Sequence, residues 1–239
     1  MKKVFLFLIT MTAVVGCSKD KRPNMDENSD CLVQTIDMGL TKDGILNFSY
    51  DTQNRISRVN FEKHGTGDSY LNQDYNISYS SNQITITGYS SAVFNLDNQG
   101  RIIKSAEEND GERTYSYNSA GYLETVTFKD NSKASFTYTN GNLTGFNIGN
   151  YKYSTEYDTN NAYVAYSYDI TQNEILHYAY GPVLYEQGRY GKVNKNRVSK
   201  VDGETYVYTL DDSSKKIKSI IINKGEYGMD NMNFSYSCK

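Results

Sequence analysis

Tyr115-Ser116-Tyr117-Asn118-Ser119-Ala120-Gly121-Tyr122-Leu123 is the stretch whose reading decides the fold. Tyr115 and Tyr117 stand two residues apart, so their rings share one face of an extended strand. Asn118 suits the first position of a type I turn, and Gly121 falls where a three-residue hairpin needs a left-handed residue. Leu123 opens the return, and Val126 and Phe128 continue it. A regular strand has period two. The gap of three between Leu123 and Val126 therefore predicts one extra residue there, a bulge that adds twist.

The same unit recurs. Phe48-Ser49-Tyr50-Asp51-Thr52-Gln53-Asn54-Arg55-Ile56 and Phe94-Asn95-Leu96-Asp97-Asn98-Gln99-Gly100-Arg101-Ile102 repeat it with Asp at the turn. Phe136 to Leu143 is a shorter copy, Tyr206 to Ile217 a looser one, and Phe234-Ser235-Tyr236 a final half copy. Phe94, Tyr115 and Phe136 are each 21 residues apart, room for two strands and two turns. The returning strands repeat the irregular spacing in Ile56-Val59-Phe61, Leu143-Phe146-Ile148 and Ile217-Ile220-Ile222. This pattern predicts an all-β fold, a curled antiparallel sheet of repeated hairpins with about a dozen strands. A flat layer would leave one aromatic face wet, so the sheet is expected to curl into a barrel or half-barrel. The strands carry no continuous lipid-facing apolar set, which argues against a transmembrane barrel.

Composition agrees with sheets that have one dry and one wet face. The 239 residues include 23 Tyr and no Trp, with 38% hydrophobic residues and only 2 Pro. That aromatic content is not a disorder signature. Twenty-five Lys and Arg against 28 Asp and Glu give a net charge of −3, which argues against a nucleic-acid partner.

The N-terminus reads as an address. Met1-Lys2-Lys3 is a positive opening, Val4 to Val15 a short apolar run, and Gly16 precedes Cys17. Val14-Val15-Gly16-Cys17 resembles the lipobox of bacterial lipoproteins. That resemblance implies cleavage before Cys17, acylation of its thiol, and anchorage to the outer membrane, facing the periplasm or the surface. The expected organisation is a signal peptide over 1–16, a flexible polar tether over 17–29, and a β domain over 30–239.

The Tyr-Asp-x-x-Gly-Arg-Ile unit further resembles the YD repeats of RHS-type surface proteins. The mature chain also resembles uncharacterised Bacteroidetes lipoproteins of a domain-of-unknown-function family built from such hairpins. The resemblance implies an extended, curled sheet and no catalytic residues.

One segment departs from the repeat. Thr171-Gln172-Asn173-Glu174 has capping-box spacing and Gly181-Pro182 reads as a stop, so a short helix is expected near 172–180. It belongs to an insertion of about 171–196 that continues as a loop through Tyr185 and Tyr190. Tyr178, Tyr180, Tyr185 and Tyr190 lie there, outside the repeat. They are either core or lid residues, or a ligand-binding set, since Tyr offers a flat apolar face and a hydroxyl.

The sequence shows no catalytic constellation. His64 and His177 are far apart and no zinc-ligand spacing occurs, so neither metal nor cofactor is expected. The pairs Glu107-Glu108 and Asp211-Asp212 read as solvated edges, because neighbours on a strand face opposite ways. The expected role is a non-enzymatic, lipid-anchored envelope protein binding a glycan or protein partner. The alternatives are a structural spacer and, behind it, a polysaccharide-acting enzyme. With Cys17 assigned to lipid, Cys31 and Cys238 remain near the two ends of the domain, in an oxidising compartment. They would bridge if the first and last strands meet, and would stay two free thiols if the sheet is open.

Overall fold

A computed structural model describes residues 31–39, 44–64, 73–166 and 180–238. The first half of the chain forms β1 (Cys31–Asp37), β2 (Gly44–Tyr50), β3 (Ile56–Lys63), β4 (Gln73–Tyr79), β5 (Gln83–Gly88), β6 (Ala92–Leu96), β7 (Ile102–Glu107) and β8 (Gly111–Tyr117). The second half forms β9 (Leu123–Phe128), β10 (Lys133–Thr139), β11 (Asn142–Ile148), β12 (Tyr151–Ala162), β13 (Asn196–Val201), β14 (Glu204–Leu210), β15 (Ile217–Asn223) and β16 (Met229–Cys238). A short helix, α1 (Gly181–Glu186), interrupts the meander between β12 and β13.

Each strand pairs antiparallel with its chain neighbours, and β1 pairs with β16, so the sheet closes on itself. A closed barrel has no free edge to template association. Cys31 faces Cys238 in the closing pair, and a disulfide joins them. The sheet is thus longer than the expected dozen strands, because several copies of the unit diverge too far to be counted from residues alone.

The predicted irregularity recurs in five hairpins. The register slips by one residue at Ser49/Tyr50, Asn95/Leu96, Ser116/Tyr117, Thr137/Tyr138 and Thr209/Leu210. A bulge takes backbone groups out of the ladder, and they need other partners. Tyrosines supply them. Tyr79 donates its hydroxyl to the Ile56 carbonyl at 2.7 Å, Tyr117 to Ile102 at 2.6 Å, Tyr157 to Leu143 at 2.8 Å, and Tyr236 to Ile217 at 2.9 Å. Tyr50 does the same for Val33, beside a slip in β1, at 2.6 Å. The ring sits on the dry face while the hydroxyl serves the bulge, so these positions favour Tyr over Phe.

The turns have matching chemistry. Asp97 Oδ1 accepts from the Gln99 and Arg101 amides, and Oδ2 accepts from Arg101 Nε at 2.8 Å. Asp51 serves Gln53 and Arg55 in the same way. The left-handed residues are Asn54, Gly100 and Gly121, as the turn type requires. Arg55 then lies 4.4 Å over the Tyr79 ring, and Arg101 4.3 Å over Tyr117, which ties each turn to the next hairpin.

These contacts correct the family resemblance. The Tyr-Asp-x-x-Gly-Arg-Ile motif here is a turn-and-pin packing unit of a closed sixteen-strand barrel, and the chain is not an open YD-repeat sheet of the RHS type. Nor does the proposed place among hairpin-built lipoproteins of unknown function hold. The motif transfers poorly between folds because its chemistry is local, whereas closure depends on twist summed over every strand.

The core fills the lumen. Val59, Tyr75, Ile84, Ile86, Phe94, Val126, Phe146 and Ile220 point inward and are buried. The outer wall is polar. Thr114, Ser116, Ser135 and Thr137 face out, as do the Arg58–Asp74 pair at 2.6 Å and the Lys104–Glu112 pair at 3.0 Å. A wall in lipid requires the reverse alternation.

The insertion caps one end of the lumen, the end that also carries the Asp/Asn turns and the Cys31–Cys238 end of the closing strand pair. Arg189 O accepts from Ile102 N, Gly121 O from Lys192 N, and Gly141 O from Lys195 N, which stitches the cap to three hairpins. Gly181-Pro182, expected as a stop, opens α1. Pro182 sits in the first turn, where its missing N–H costs nothing. Gly188, left-handed at φ 69, ends it. Residues 172–179 of the expected helix lie outside the described residues, and the expected loop at Tyr185 is helical.

Candidate functional site

Where the cap meets the β1/β16 seam, it leaves a cavity of about 220 Å³. That is roughly seven water molecules' share of liquid volume. Tyr50, Tyr166 and Tyr236 form aromatic wall, Val33, Ile56 and Val183 form apolar wall, and Arg55, Arg189, Lys216, Glu186 and Gln187 supply polar atoms.

α1 positions one side of it. Val183 and Leu184 are buried in the core and hold the helix in the mouth of the barrel. Glu186 follows on the last turn, where its Oε1 accepts from the Tyr163 hydroxyl at 2.6 Å and the Tyr166 amide at 2.7 Å. Tyr166 has φ 65, a left-handed conformation rare for a bulky residue, and its ring packs 6.1 Å from Phe48. Strain of this kind costs about 1–3 kcal/mol and persists only where surroundings enforce it. The Glu186 carboxylate is that enforcement, and the result is a ring set in the cavity wall. Burial pushes the Tyr50, Tyr166 and Tyr236 hydroxyls above the ordinary phenol range, so all three remain neutral donors.

The polar atoms differ in how committed they are. Arg55 is held by Asp51 at 2.7 Å, and Arg189 donates to the Gly100 carbonyl at 3.1 Å. Gln187 Nε2 donates to Tyr79 Oη at 2.8 Å, while its Oε1 is buried without a hydrogen-bond partner. Lys216 makes no ion pair among the described residues.

The tyrosines singled out from sequence lie elsewhere. Tyr180 is buried between Tyr75, 5.2 Å away, and Phe94, and donates to Glu107 Oε2 at 3.1 Å. Tyr190 packs 5.7 Å from Tyr115, and Tyr185 is buried in the same core. None of the three lines the cavity, and Tyr178 lies outside the described residues. Sequence reading did not find Tyr166, Glu186, Gln187 or Lys216. The local spacing carries no mark of them, because they converge from three separate segments.

Glu107 corrects the solvated-edge reading, which holds for its neighbour Glu108. It is 7% exposed and points into the lumen, where Ser105 Oγ donates to it at 3.0 Å and Arg113 lies 3.5 Å away. Arg113 also meets Asp110 at 2.7 Å. Burial raises the Glu107 carboxyl above its ordinary range against the pull of Arg113, and the Tyr115 hydroxyl is pushed up to about 12. This cluster is buried and internally bonded. Asp211 caps its own turn through Ser213 and Ser214, and His64 meets Asp37 at 3.2 Å. His177 lies outside the described residues. Among the described residues no group of His, Cys, Asp and Glu could hold a metal ion. Among the described residues these groups form no nucleophile–base or acid–base pair.

The fold and cavity define a class: a closed sixteen-strand meander barrel with an apolar core in its lumen and one capped end. No protein-family model and no curated protein matches the chain. Solved structures do. A porin-like protein from Bacteroides uniformis ATCC 8492 superposes with a TM-score of 0.66 at 16% identity, covering 87% of this chain and 98% of that one. A porin-like protein from Bacteroides vulgatus ATCC 8482 gives 0.55 at 16% identity, covering 86% and 98%. The shared feature is the barrel fold, which again displaces the YD-repeat assignment.

Proposed function

We propose that this protein is a non-catalytic barrel tethered to the outer membrane through lipid on Cys17, and that it binds a glycan in the cavity at its capped end. The observation that carries the binding reading is the convergence of Tyr50, Tyr166 and Tyr236 with polar groups around unfilled space at the capped end. Tyrosine faces take the apolar side of a sugar ring, and amide and charged groups take its hydroxyls. The lipobox-like Val14-Val15-Gly16-Cys17 supports the anchor. The polar outer wall supports attachment beside the bilayer, with the strands kept out of it. The fold shared with the Bacteroides porin-like structures is consistent with an envelope address.

Two experiments test this reading. Palmitate labelling is expected on the wild-type chain and absent from Cys17→Ala; undiminished labelling refutes the anchor. On a glycan array, Tyr166→Gly deletes the ring while suiting the backbone angle. Binding by wild type that disappears in this variant, with the circular dichroism unchanged, supports the cavity. The packed lumen favours a second reading, a rigid spacer, for which no glycan on the array would bind.

A further inference from the structure

We infer that the cavity selects a sugar acid, a hexuronate-type ring carrying one carboxylate, and this inference rests on the glycan reading above. Three features specify the ligand. Lys216 lines the cavity with no ion pair among the described residues; with Arg55 paired to Asp51, Arg189 and Lys216 stand against the single carboxylate of Glu186, an excess of one positive charge. Glu186 is held in place at Oε1 by the Tyr163 hydroxyl and the Tyr166 amide, and the two cations beside it outnumber its single charge. The site therefore has room for one anion.

The second feature is Gln187 Oε1, a buried acceptor without a donor. Its amide orientation is set by the bond from Nε2 to Tyr79 Oη at 2.8 Å. A buried acceptor left bare is costly, so it calls for a donor from outside the chain. A carboxylate cannot give that proton, but a sugar hydroxyl can. The third feature is the aromatic wall of Tyr50, Tyr166 and Tyr236, which accepts the C–H face of a ring. Anion, hydroxyl donor and apolar ring face in about 220 Å³ describe a single acidic monosaccharide or the end residue of an acidic chain. An inorganic anion satisfies only the first feature, and a neutral hexose only the last two.

Ligand-observed NMR titration of the full chain in zwitterionic detergent tests this, with galacturonate, galactose and inorganic phosphate as probes. Galacturonate is expected to bind about tenfold or more tightly than galactose, the discrimination typical of one charge-assisted hydrogen bond. Lys216→Ala is expected to bring galacturonate affinity down to that of galactose, and raising salt from 50 to 500 mM should weaken galacturonate alone. Lys216 lies in a turn and is only half-buried, so the variant should keep its fold, which circular dichroism checks. Equal binding of both sugars, unaffected by Lys216→Ala, overturns the acid preference and leaves the glycan site standing. Phosphate competing as well as galacturonate overturns the sugar-acid assignment in favour of a simple anion site. Binding of no probe overturns this inference and the glycan reading together.

Discussion

Tyr117→Phe isolates the tyrosine pin. The substitution keeps the ring, its burial and the Arg101 guanidinium stacked on it, and removes one oxygen. That oxygen donates to Ile102 O at 2.6 Å and approaches Arg189 O at 3.3 Å. Arg189 O keeps the Ile102 amide at 2.8 Å, so it loses little. Ile102 O stands beside the bulge where β6 and β7 slip register, and loses its side-chain donor. An orphaned, largely buried carbonyl costs about 1–3 kcal/mol. For a domain of this size that corresponds to a melting-temperature drop of roughly 2–10 °C. Urea unfolding of the unreduced chain, followed by near-ultraviolet circular dichroism, should show a lower midpoint at unchanged slope. Tyr151→Phe is the control: Tyr151 is 70% exposed, and the change should stay within about 0.5 kcal/mol. A Tyr117→Phe chain as stable as that control refutes the pin. Burial also raises the Tyr117 hydroxyl above its ordinary range. Its contribution should therefore hold below the unfolded phenol value of about 10 and fade as pH climbs past it.

Asp97 gives the opposite pH dependence. Burial pushes its carboxyl up, but the Arg101 amide and guanidinium and the Gln99 amide outweigh this and hold it below the usual range. Its stabilisation should be present above about pH 4 and lost as pH falls. Asp97→Asn should cost about 1 kcal/mol at pH 7 and flatten the acid limb of a stability–pH curve. Gly191→Ala places a Cβ 2.6 Å from Gly121 O at φ 87, so it should destabilise by more than about 1 kcal/mol and loosen the cap, read as faster amide exchange in residues 180–196. Replacing both Cys31 and Cys238 by Ser opens a loop of 207 residues, nominally worth about 5 kcal/mol in the chain-entropy model; a midpoint unchanged from the oxidised wild type would show that strand pairing alone closes the seam.

The repeat was legible because its chemistry is local. Asp97, Gly100 and Arg101 are bound within one turn, and the spacing Leu123-Val126-Phe128 records a bulge whichever fold the hairpin joins. The all-β class and the curled sheet follow from such units; the short helical insertion was read from the segment that departs from them, and the described helix is Gly181–Glu186. The reading of Glu107 as a solvated edge failed for a related reason. Sequence alternation says that Glu107 and Glu108 face opposite ways, but not which face is wet at that strand end, and Arg113 and Tyr180 come from elsewhere to hold the buried one.

By itself, then, the sequence determined hairpins, turn types, bulge positions and a dry aromatic face, all properties that act over a few residues. Tertiary structure alone decided that sixteen strands close, since closure depends on accumulated twist and on Cys31 in β1 meeting Cys238 in β16. It also decided the cavity. Tyr166, Glu186, Gln187 and Lys216 become neighbours only when the insertion folds back over the barrel mouth, and no spacing along the chain encodes that return.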